Sequence, residues 1–161
     1  MPRRAERFGV HPVLEEALGA IADDDLPSEI EAILPAQRRM SCDELVAIGR
    51  LCATHVAPYV GRARRAEFER LTSLVDRFLA HPPRGPNDPT AWRDLGAAAR
   101  RDAEYARGPL KVVALTAWAI SESGPDAARL TGQAVRLALK TLAKDRAAQH
   151  ALVRELCARF R

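Results

Sequence analysis

The histidines and cysteines of this chain of 161 residues are the side chains best suited to acid–base catalysis, nucleophilic attack or metal binding. The four histidines are scattered, at His11, His55, His81 and His150. Of these, His11 alone has a partner one helical turn away, Glu15, and one such pair does not make a metal site. The three cysteines, Cys42, Cys52 and Cys157, form no C-x-x-C pair. We therefore expect reduced, structural cysteines and no metal site.

His55 is the residue with the best placement for a catalytic or ligand-binding role. It lies on the apolar stripe of the third predicted helix, beside Cys52 and Tyr59. These three side chains are a candidate pocket, although a histidine in this setting is more often a core residue with one satisfied hydrogen bond. The chain has no His-Glu-x-x-His motif, no Gly-rich phosphate loop and no nucleophile motif. We therefore expect no enzymatic activity and no cofactor.

An acidic run at Asp23-Asp24-Asp25, followed by Glu29 and Glu31, has the carboxylates that a hard cation needs. It lacks the glycine and the alternating ligand spacing of a calcium loop. A solvated turn explains this run better than a metal site does.

The sharpest surface pattern is a basic row on the seventh predicted helix. Its residues recur at spacings of four, three, four and four, and they are Arg129, Gln133, Arg136, Lys140 and Lys144. This spacing places them on one side of a helix over about 20 Å. Such a row fits an acidic protein surface or phosphates, and it could equally be an ordinary solvent face. The basic segments Gly61–Arg65 and Arg100-Arg101 would extend the row if the fold brought them close.

Charge is distributed unevenly along the chain. Residues 1–57 contain six Lys or Arg and ten Asp or Glu, whereas residues 58–161 contain 19 and 11. The acidic region could pack on the basic part of the same chain, or each could meet an external partner. Arg outnumbers Lys by 22 to 3, and Ala contributes 30 residues, which is typical of a GC-rich coding bias. The arginine content alone therefore says little about phosphate binding.

Helical periodicity dominates the chain, and no segment shows sustained strict alternation. The S-x-x-E sequence from Ser41 to Glu44 predicts a capping box for the third helix, which Pro58 and Gly61 would end. The remaining predicted helices span about 12–22, 27–34, 64–80, 89–106, 110–122, 125–143 and 145–160.

The segment at 110–122 is apolar on almost all sides, which predicts a helix buried at the centre of the fold. We therefore predict an all-α, single-domain helical bundle of about six to eight helices over residues 1–161. Residues 81–89 form a Pro/Gly-rich connection within it. A short irregular α-solenoid is the alternative architecture.

Two stretches resemble a known family. These are Ser41-Cys42-Asp43-Glu44-Leu45 leading into Cys52–Pro58, and, after an Arg-rich opening of the fourth helix, Asp126–Val135. Over about 41–139 the chain is similar to the Ala-rich helical immunity proteins of bacterial polymorphic toxin systems. The resemblance implies stoichiometric binding of a partner protein without catalysis. It identifies no binding residues.

The leading hypothesis is thus a small cytoplasmic helical protein of bacterial type that binds another protein, such as a toxin or effector. The alternative is a nucleic-acid-associated helical protein that uses the basic row. No apolar run approaches the length that a membrane span requires, and no signal peptide is evident. A homodimer is a further possibility if the aromatic residues do not all fit inside one core.

Overall fold

The computed structural model describes residues 40–81, 89–122 and 124–159. Within these ranges the chain forms six α-helices. They are α1 (Cys42–Val56), α2 (Arg65–Ala80), α3 (Pro89–Tyr105), α4 (Gly108–Ala119), α5 (Gly124–Thr141) and α6 (Arg146–Arg159). Two 3₁₀ turns, Ala57–Tyr59 and Arg62–Arg64, connect α1 to α2. No strand occurs in these ranges, so the all-α prediction is confirmed. The helices predicted at 12–22 and 27–34, and most of the 81–89 connection, lie outside the described residues.

The start and the end of α1 both follow from local sequence. Ser41 is the N-cap, and its hydroxyl oxygen accepts a hydrogen bond from the Glu44 backbone N–H at 3.4 Å. The same hydroxyl donates to the Glu44 carboxylate at 2.8 Å. After Val56 the chain tightens into the 3₁₀ turn that contains Pro58, which has no N–H with which to continue the helix. The predicted third helix is therefore confirmed, but it ends before Tyr59.

Helix α4 lies at the centre of the bundle, as its apolar sequence predicted. It packs against α1, α2, α3 and α5. The side chains from Val112 to Ala117 are all buried, including the one hydroxyl of Thr116, which donates to the Val112 carbonyl at 2.8 Å. Helix α1 also contacts α5 and α6, which are distant in the sequence. Because a solenoid repeat contacts only its neighbours, this pattern is that of a bundle.

The boundary between α3 and α4 differs from the prediction. Gly108 and Pro109 were expected to end the fifth predicted helix, with the next one starting at Leu110. Instead, Gly108 has a φ of +57° and belongs with Pro109 to the first turn of α4. The reason is that proline is favoured at the first helical positions, where its missing N–H has no partner to lose.

Two helix contacts depend on glycine. A Cβ atom at Gly49 of α1 would meet the Thr116 side chain of α4, with Cγ2 at 2.7 Å. A Cβ atom at Gly96 of α3 would lie 2.6 Å from the backbone nitrogen of Ser121, just after α4. At these two contacts, α1 approaches α4 and α3 approaches the residues just after α4 more closely than a larger residue would allow.

Candidate functional site

The three residues of the candidate pocket, Cys52, His55 and Tyr59, lie in different environments. Cys52 is fully buried, whereas Tyr59 is 46% exposed at the end of its 3₁₀ turn. His55 is half-buried, and its Nε2 atom lies 3.1 Å from the Glu155 carboxylate of α6. The prediction that Tyr59 continues the apolar stripe of α1 is wrong, because the helix ends at Val56 and the stripe ends with it. His55 therefore joins α1 to α6 through the contact between its imidazole and the Glu155 carboxylate.

Burial suppresses the reactivity of Cys42 and Cys52. Desolvation raises the pKa of the buried Cys52 thiol to about 12. Desolvation, reinforced by the negative charge of Asp43, raises the pKa of Cys42 to about 11. The Cys42 thiol also lies 3.5 Å from the Ala119 carbonyl oxygen, to which it donates. Both groups remain protonated thiols at neutral pH, and a thiol is a poor nucleophile.

All five members of the basic row lie at the surface of the protein. Arg129, Gln133, Arg136, Lys140 and Lys144 are exposed. The packing side of α5 is formed by Leu130, Ala134 and Val135, which are fully buried. Lys144 lies just beyond the helix, in the turn before α6. The row is therefore directed away from the core.

Trp118 of α4 links the row to α3. The guanidinium carbon of Arg129 lies 6.0 Å from the centre of the indole ring, and that of Arg100 lies 5.5 Å away. The Trp118 N–H donates to the Glu122 carboxylate at 3.1 Å, which fixes the ring. Arg129 also lies 4.0 Å from Asp126. Of the two arginines expected to extend the row, Arg100 does approach it, across Trp118.

A second feature is a groove of about 600 Å³ between the start of α2, the end of α3 and the start of α4. Its apolar lining comes from Leu71, Ala106 and Leu110. Its basic lining comes from Arg64, Arg101 and Arg107, all of which are exposed. The fold thus brings the Arg64 segment to Arg101, as the sequence allowed, but at this groove and not on α5.

Tyr105 is the most exposed large apolar side chain among the described residues, at 84%, and it lines the same groove. Tyr105 is the last residue of α3. No sequence signal separates a tyrosine at a helix end from one in the core, because its ring is apolar and its hydroxyl is polar.

Most charges around the groove are paired. The Glu67 carboxylate lies 3.6 Å from Arg64, and the Asp102 carboxylate lies 3.3 Å from Arg70. Arg101 and Arg107 have no ion-pair partner within the described part of the chain. Within the described residues the groove therefore holds two positive charges without an ion-pair partner.

Within residues 40–81, 89–122 and 124–159 no group of three or more His, Cys, Asp or Glu side chains is placed to hold a metal ion. None of the helices described is both long and apolar enough to cross a membrane. Comparison of the chain with family models, curated proteins and solved structures finds no match.

Proposed function

We propose that this chain is a small cytoplasmic protein that binds a partner protein stoichiometrically and without catalysis, in the manner of an immunity-type inhibitor. The observation that carries the proposal is the exposure of the α5 row along the whole helix, opposite a fully buried packing side. This row carries four cations and the neutral Gln133, and it suits an acidic protein surface because complementary charges steer the encounter and fix its register.

Arg129 is a member of this row that the surrounding residues hold in place. Its contacts with Trp118 and Asp126 restrict the side chain before any partner arrives. A restricted arginine loses less conformational entropy on binding than a free one, and arginine is common among the residues that dominate binding energy. We therefore place the energetic centre of the interface at the Arg129 end of α5.

Nucleic-acid binding through the same row is the second candidate, since cations one turn apart also suit phosphates. Proteins that bind single strands usually add an aromatic ring on which a base stacks. The aromatic ring that the row contacts, that of Trp118, already has two guanidinium groups over it. This arrangement favours a protein partner.

Charge reversal on the row tests the proposal. The tagged chain and its Arg129→Glu/Lys140→Glu variant are compared as bait in a lysate of the source organism. The matched control, Arg77→Glu/Arg93→Glu, makes the same charge change at exposed positions of α2 and α3. We expect capture of the partner to fall by about tenfold or more with the row variant and to persist with the control. Equal capture by both variants would contradict the role of the row.

A further inference from the structure

We propose that the groove between α2, α3 and α4 is a second binding site, and that it takes a short acidic segment of a partner protein bearing one apolar side chain. This site lies on different helices from the α5 row, so it does not depend on the function proposed for that row.

The charges of the groove define the acidic part of this ligand. Glu67 and Asp102 already have arginine partners, at 3.6 and 3.3 Å, which leaves Arg101 and Arg107 uncompensated among the described residues. A guanidinium group donates two parallel hydrogen bonds to the oxygens of a carboxylate. Two such arginines on one groove therefore suit two carboxylates spaced along an extended chain.

The apolar surface defines the rest of the ligand. Leu71, Ala106 and Leu110 line the groove between the arginines, and Tyr105 stands 84% exposed beside them. A volume of about 600 Å³ is within the size range of sites that enclose a small ligand or an anchoring side chain. Tyrosine and arginine are also the residue types enriched where binding energy is concentrated. An aliphatic or aromatic anchor would bury this surface.

The same lining disfavours a polyphosphate or a nucleic acid. Either ligand would place a continuous series of negative charges against Glu67 and Asp102, which share the groove with the arginines. It would also leave the apolar lining without a complement. A peptide can set its carboxylates opposite the arginines and its apolar side chain opposite Leu71 and Leu110.

Fluorescence anisotropy with the full chain tests the site. The probe is a labelled acidic peptide with one central phenylalanine. One control peptide replaces its acidic residues with the corresponding amides, and another replaces the phenylalanine with serine. We expect the intact peptide to bind, and each control peptide to bind about fivefold more weakly or worse.

Variants of the protein locate the binding. We expect Arg101→Gln/Arg107→Gln to weaken peptide binding by about tenfold or more, and Tyr105→Ala by about fivefold. The control Arg77→Gln and the row variant Arg129→Glu/Lys140→Glu should bind as the wild type does. All these positions are exposed, and circular dichroism checks that each variant is folded.

Four results would overturn the proposal. One is the absence of peptide binding below roughly 1 mM. Another is equal binding by the groove variants and Arg77→Gln. The third is competition by a single-stranded oligonucleotide or by pyrophosphate as strong as that by unlabelled peptide, which would identify a general anion site. The last is a wild-type dimer that the groove variant abolishes, which would identify a second copy of the chain as the occupant.

Discussion

Gly49 sets the distance between α1 and the central helix. Any side chain at this position would meet Oγ1 and Cγ2 of Thr116, which is itself buried and hydrogen-bonded to the Val112 carbonyl. Two backbones are therefore held close by the absence of a single carbon atom. The sequence does not predict this close approach, because nothing in it shows that Thr116 faces Gly49.

Replacement of this glycine should separate the two helices. We expect Gly49→Ala to lower the free energy of unfolding by about 1–3 kcal/mol, because either α1 or α4 must shift. Gly61→Ala is the control, since a Cβ atom there meets nothing within 4 Å. It should change stability by less than about 0.5 kcal/mol. Urea denaturation measures both, and equal effects would contradict the close approach.

The buried thiols predict a pH dependence of stability. The pKa values of Cys42 and Cys52 rise on folding from an ordinary 9.0 to about 11 and about 12. Their contribution to stability is therefore complete below pH 9 and is lost as the pH rises toward those folded values, because only the unfolded thiols ionise in that interval.

The measurement compares Cys157→Ser with Cys42→Ser/Cys52→Ala/Cys157→Ser, so that lysine and tyrosine titration cancels. Between pH 8 and 10.5, a range set by the thiol pKa values, the single variant keeps Cys42 and Cys52 and should lose stability relative to the triple variant. A difference that stays constant with pH would show that these thiols do not titrate differently in the folded state.

At the scale of single elements, helix boundaries follow from local chemistry. The N-cap at Ser41 was predictable because its partner Glu44 lies only three residues away, although the Glu44 carboxylate accepts from the Ser41 hydroxyl and not from the backbone N–H of a full capping box. The Gly108-Pro109 pair was assigned to the wrong helix, because the same two residues suit either the end of one helix or the start of the next. The true choice depends on how α3 and α4 pack.

Removal of the N-cap should weaken α1 alone. We expect Ser41→Ala to cost about 1 kcal/mol, because the Glu44 N–H loses its acceptor. Ser41→Asp should retain most of the stability, since its carboxylate also accepts this hydrogen bond. Chemical denaturation distinguishes the two variants. If Ser41→Ala were as stable as Ser41→Asp and the wild type, the cap would have no energetic role.

At the scale of the whole fold, the described helices are organised around α4. Its burial was predictable, because a helix that is apolar on all sides must be covered on all sides. The order of packing was not, since nothing in the sequence states that α3 and α5 flank Trp118 or that Arg64 meets Arg101. The α5 row could therefore be predicted from residue spacing within one helix. The groove could not, because its lining comes from three helices whose packing the sequence does not show.

A cavity beside this central helix should lower the stability of the fold. Leu115 is 2% exposed and belongs to the main hydrophobic cluster, so we expect Leu115→Ala to cost about 2–5 kcal/mol. Leu95→Ala removes the same atoms from a leucine that is 39% exposed, and it should cost much less. Thermal unfolding followed at 222 nm, the usual helix signal, measures the two variants. Similar losses would contradict the central position of α4.

Stoichiometric binding of a partner protein is tested most directly by affinity capture with the tagged chain. The lysate comes from the source organism at near-physiological salt and is used with and without nuclease treatment. We predict that one protein is retained in near-equal amount to the bait in both samples. Retained material that disappears with nuclease would contradict protein binding and would assign the α5 row to a nucleic acid.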